Sequence, residues 1–162
     1  MATSLEELRV LREAEAVADA VWREVVRWET FPRQVVGEQL ARAADSIGAN
    51  IAEAFGRFHY GEKLQLLYYA RGSLFETKYW LNRVLARGLM APDQTQGYIS
   101  RLTDIACQLN AFAKSLKTQR HNSSSRTNEI REAATDYVTE TTQGTALFTD
   151  AELEWLRTID NL

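Results

Sequence analysis

The sequence is poor in the residues that carry most catalytic and extracellular chemistry. Its one cysteine, Cys107, excludes an internal disulfide and leads to the expectation of a cytoplasmic protein. Its two histidines, His59 and His121, fall in a predicted turn and a predicted linker. One cysteine and two distant histidines do not make a zinc site. Neither histidine stands in a Glu-x-x-His arrangement of the kind that bridges metals inside a helical bundle. Gly56–Gly61, GRFHYG, matches no phosphate-binding loop. No catalytic constellation, no cofactor and no metal site is therefore expected, and the chain reads as a non-enzyme. No run of about 18 apolar residues occurs, so no transmembrane helix is expected. The opening MATSLEELRVLRE lacks the apolar core of a signal peptide.

Proline is nearly absent as well. Pro32 and Pro92 are the only two, and both lie between long periodic segments. With 45% hydrophobic residues the chain can build a core, and so few breakers favour an all-helical one. Charge is uneven. Residues 1–117 hold 15 Lys+Arg and 14 Asp+Glu, whereas residues 118–162 hold 4 and 8. The body is near neutral and the tail acidic, without the basic excess typical of nucleic-acid binders.

Four segments repeat apolar residues at helical spacing. The first spans about Ser4 to Trp28, with Ser4 and Glu7 in a capping-box pattern and Val17, Val21, Trp22, Val25 and Val26 on its stripe. ETFP should end it, because Phe31 precedes Pro32 and is pushed out of helical geometry. The second runs from Arg33 to Phe58, with Leu40, Ile47, Ile51, Ala54 or Phe55, and Phe58 on its stripe. A turn at HYGE follows, with Gly61 able to take positive φ. The third runs from Glu62 to Arg87 through Leu67, Leu74 and Leu81, with Gly88 as its C-terminal cap residue. The fourth runs from Asp93 to Thr118 through Tyr98, Leu102, Ile105, Leu109, Phe112 and Leu116. Long helices on short loops alternate in direction, which predicts an antiparallel up-down-up-down four-helix bundle over residues 1–118. Cys107 borders the fourth stripe and reads as a small buried hydrophobe.

Residues 119–146 are polar and read as a linker, and residues 147–162 as a short amphipathic terminal helix. Thr149 and Glu152 form a second capping-box pattern, with Phe148 and Leu153 placed as a hydrophobic staple. A helix this short needs a surface to dock on, either its own bundle, a neighbouring subunit or another protein. Phe148, Leu153, Trp155 and Leu156 are the candidate docking residues.

The second segment is also unusually rich in small residues, QLARAADSIGANIAEAFGR at Gln39–Arg57. Glycine inside a helix costs about 1 kcal/mol relative to alanine, so Gly48 and Gly56 suggest close packing of a neighbour. Ser46, Asn50 and Glu53 are candidates for a polar core in which the Asn50 amide bonds an adjacent helix. Arg42, Arg57, Lys63, Arg71 and Lys78 are spread over the second and third helices. They are either ordinary solvated charges or candidate nucleic-acid contacts. Tyr69, Tyr79 and Trp80 cannot all face one core and suit a subunit contact.

Phe31–Pro32, the run Gln39–Arg57 with its Ser46–Glu53 core SIGANIAE, and Ala70–Glu76 together resemble the four-helix-bundle family of 23S rRNA intervening sequence proteins. That family includes the accessory variability determinant of diversity-generating retroelements. The resemblance covers about Ala14 to Leu116. It implies a homopentameric ring without catalytic activity and, from the retroelement members, an accessory that binds RNA and a reverse transcriptase. Two functions follow as expectations. One is a scaffold or adaptor whose tail captures a protein partner or a neighbouring subunit. The other is an RNA-binding accessory, with a reverse transcriptase as its partner.

Overall fold

The structure, a computed structural model, describes residues 5–127 and 146–159, and all regular structure among them is helical, without a strand. Helix α1 is Leu5–Val25, α2 Glu38–Gly56, α3 Tyr60–Ala86, α4 Pro92–Thr127 and α5 Asp150–Arg157. Each of the four long helices packs on two others: α1 and α3 both lie against α2 and against α4, while α5 lies on α4. The core between them is aliphatic. Val10, Val17, Val21, Leu40, Ile47, Ile51, Leu67, Leu74, Leu81, Leu102, Ile105 and Leu109 are buried. On α4 the expected stripe is buried in full, from Tyr98 to Leu116.

The corner between α1 and α2 departs from expectation. The chain returns to helix at Thr30, with Glu29 as N-cap at φ −54° and ψ 155°, so Phe31 is helical. Pro32 sits in the first turn, where its missing N–H would have had no helical partner. A π-helical turn, Arg33–Gly37, then leads into α2, and the Glu38 N–H reaches back to the Arg33 carbonyl. Gly37 is the residue that this corner requires. A Cβ there would stand 2.5 Å from Val25 Cγ1 and 3.4 Å from the Trp28 ring.

The other glycines divide. A Cβ on Gly48 would meet the Ala14 Cβ at 3.8 Å, an ordinary contact, and one on Gly56 would meet nothing within 4 Å. Within the chain neither glycine is forced by close packing. Gly61 lies inside α3 rather than at a positive-φ turn. Gly88 does take φ 67°. There the Leu89 N–H bonds the Val84 carbonyl and the Gly88 N–H that of Leu85, the paired bonds of a Schellman cap.

Three further expectations are corrected. Helix α4 continues to Thr127, so residues 119–127 are helix and not linker; residues 128–145 lie outside the described residues. Trp22, Val26 and Phe58 are 59%, 43% and 79% exposed, because Val21, Val25 and Phe55 take the inward positions beside them. Cys107 is exposed, one position past the buried Ala106. The Ser4–Glu7 cap lies outside the described side chains.

Candidate functional site: a terminal helix docked on the bundle

Eight residues of helix cannot hold themselves together in water, and α5 is stabilised at both ends. At its start the Thr149 hydroxyl accepts the Glu152 N–H at 3.2 Å, and the Thr149 N–H donates to Glu152 Oε2 at 2.8 Å. The capping box read from the sequence is thus formed. Those contacts place the Glu152 carboxylate to pair with the Arg71 guanidinium on α3. The Thr149 backbone N–H above all, and then the Thr149 hydroxyl and Arg71, hold the Glu152 carboxyl below its ordinary range against the opposing effect of burial.

Just before the helix, the chain is clamped by Asn110 of α4. The Asn110 amide donates to the Phe148 carbonyl and accepts the Phe148 N–H, both at 2.8 Å. Phe148 is 1% exposed and Leu156 fully buried, so the tail enters the common core. The Phe75 ring of α3 lies 5.6 Å from the centroids of both Phe148 and Trp155. At the far end Lys78 Nζ donates to the Thr158 carbonyl at 2.6 Å and stands 4.3 Å from the Trp155 ring centroid. Burial of an ammonium is costly unless it is paired. Lys78 is fully buried, and here it meets the negative end of the α5 dipole and an aromatic face.

The order of these contacts sets direction. From Phe148 to Thr158 the tail passes Arg71 and then Lys78 on α3, but Asn110 and then Gln96 on α4. It therefore runs with α3 and against α4, in a recess between them.

The structure treats the sequence candidates unequally. Phe148, Leu153 and Leu156 turn inward on the chain's own bundle, while Trp155 remains 42% exposed. Arg71 and Lys78 are brought together beneath the tail. Arg57 instead pairs with Glu53 four residues before it on the surface, and Arg42 is exposed. Lys63 is half-buried near the start of α3. Three of the five candidate cations are thus already engaged within the chain: Arg57, Arg71 and Lys78. Ser46, Asn50 and Glu53 do not form a polar core. The Ser46 hydroxyl donates to the Arg42 carbonyl at 2.8 Å, and the Asn50 amide to the Ser46 carbonyl at 2.7 Å. Such bonding to the preceding turn satisfies both side chains within α2. Tyr69 and Tyr79 are exposed and Trp80 half-buried, with the Tyr79 and Trp80 rings in edge contact.

Sequence reading missed the parts that Asn110 and Phe75 play in seating the tail. Both lie in helices whose patterns were clear, but nothing local marks an asparagine that will pair with a backbone 38 residues away. Among the described residues no group of three or more His, Cys, Asp or Glu could hold a metal ion, and no helix is long and apolar enough to cross a membrane.

The family model of the 23S rRNA-intervening sequence proteins matches residues 6–111, well over half of the chain. The chain belongs to that family. No curated protein matches it. The family match ends one residue after Asn110, so the family shares α1, α2, α3 and the part of α4 that forms the recess floor, whereas the docked tail lies outside the matched residues.

Proposed function

We propose that this protein is a non-enzymatic scaffold, an up-down-up-down four-helix bundle that assembles into a ring and uses its C-terminal tail as an adaptor. The observation that carries this reading is the fit between tail and recess. Two buried apolar anchors, a two-point backbone clamp and a cation at each end make a receptor for a capped amphipathic helix. That is the helix-in-groove mode of recognition, in which apolar anchors supply affinity and polar ends set register. Ring assembly, which the family resemblance implies, is supported by apolar surface at the α1–α2 corner: Trp22, Val26, Phe31 and Val35 are all at least 43% exposed.

The test is direct. A full-length chain carrying Phe148→Asp and Leu156→Asp keeps its recess and loses its own ligand. A labelled peptide of residues 145–162 should bind it saturably by fluorescence anisotropy, and addition of Asn110→Leu should weaken that binding at least tenfold. Absence of binding to the recess-intact chain overturns the adaptor reading.

The RNA-accessory reading draws on fewer cations than the sequence offered, since Arg71 and Lys78 are engaged by the tail and Arg57 by Glu53. Its support is Arg42 and Lys63, repeated around a ring.

A further inference from the structure

The recess holds a segment that is tethered but not threaded, and its contacts carry no requirement that the segment come from the same chain. Every contact that seats the tail joins residues far apart in sequence: 38 for Asn110 and Phe148, 81 for Arg71 and Glu152, 80 for Lys78 and Thr158. From the reading of the tail as a docking element, we propose that the α3–α4 recess also accepts the tail of a second copy of this chain, so that copies exchange tails.

Two physical arguments select a second copy as the occupant. The first is reach. Beyond Asn110, α4 carries on to Thr127, a further rise of roughly 25 Å. The connecting residues, 128–145, can span at most about 60 Å. Return to the chain's own recess uses less than half of that length, which leaves slack for the tail to leave its own bundle and seek the same recess on another copy. The second is conservation of contacts. Exchange buries the same Phe148 and Leu156, pairs the same Arg71 with a Glu152, and covers the same Lys78. No recess is left open, so the two arrangements differ mainly in the effective concentration of the tail. A foreign partner, by contrast, would leave the displaced tail with its buried anchors uncovered, whereas exchange gives every displaced tail a recess.

Two full-length variants test the exchange. One has its tail disabled by Phe148→Asp and Leu156→Asp; the other has its recess disabled by Asn110→Leu and Lys78→Glu and keeps its tail. With donor and acceptor dyes on their N-terminal amines, the mixed pair should associate at least tenfold more tightly than a pair of tail-disabled chains, which share any contact made by the bundle itself. Equal energy transfer in the two pairs overturns the proposal. The milder pair Arg71→Glu and Glu152→Arg guards against misfolding. Reversed recess and reversed tail match only across chains, so the mixture should associate more tightly than either variant alone, and failure to do so overturns exchange. The peptide experiment separates the two readings. Peptide binding without association of the chains leaves the adaptor standing and removes exchange; no peptide binding removes both.

Discussion

Asn110 and Phe148 hold each other by two hydrogen bonds that run in opposite directions, amide to carbonyl and backbone N–H to amide oxygen, each 2.8 Å long. A side chain here imitates the edge of a strand. It satisfies both backbone groups of the residue whose ring is driven into the core, and it fixes where the tail begins.

Substitution at Asn110 should therefore loosen the tail in a graded way. Asn110→Leu leaves the Phe148 N–H and carbonyl without partners, at about 1–3 kcal/mol for each buried group. Asn110→Asp keeps an acceptor for the N–H and loses the donor to the carbonyl, so its effect should be intermediate. Amide hydrogen exchange over residues 147–157 measures this, with protection falling from wild type to Asp to Leu.

The glycines predict opposite signs. Gly37→Ala drives a Cβ to 2.5 Å from Val25 Cγ1, so it should destabilise the bundle by about 1–3 kcal/mol. Gly48→Ala meets only an ordinary contact at 3.8 Å and should stabilise α2 by up to about 1 kcal/mol. Denaturant unfolding of the two variants gives the comparison, and loss of stability in Gly48→Ala would mean that another subunit packs on that glycine.

Acid should release the tail. The Glu152 carboxyl lies below its ordinary range in the docked state and returns to about 4.3 when the tail is free. A depressed carboxyl stabilises the docked state above the free value, and that stabilisation is lost as pH falls through the lowered one. The window opens below roughly pH 4.3. The Thr149 amide, which donates to Glu152, should report it in an NMR titration. In Glu152→Gln that titration should vanish.

Thr149→Ala removes the N-cap acceptor and should cost about 1 kcal/mol of tail docking. Peptides of residues 145–162 with and without the substitution, compared on the tail-disabled chain, should differ roughly fivefold to tenfold in affinity, since 1.4 kcal/mol is tenfold.

Much of the fold was legible because it is written locally. The α4 stripe, the Gly88 cap and the Thr149–Glu152 box each depend on residues within a few positions of one another, and each is found as read. The site was legible only in halves. Phe148 and Leu156 announced a helix that needs a surface, but the cations of that surface read as free because their partners are 80 and 81 residues away. Spacing on one helix cannot show what a distant segment will neutralise. Asn50 failed for the opposite reason: its partner is the carbonyl one turn back, so an apparent reach across helices is satisfied at home. Gly37 went unmarked because its need arises from the way α1 ends, not from its own neighbours in sequence.

The buried position of Lys78 bears on where this domain ends. The family match closes at residue 111, yet the groups that cover Lys78 and Phe148's neighbour Phe75 begin beyond residue 145. A fragment cut at the edge of the match would bare an ammonium, a phenyl ring and the aliphatic floor beneath them. The covering of Lys78 and Phe75 thus depends on residues beyond the stretch by which the chain is recognised, and protease nicking between the two would leave both pieces held together until the tail lets go.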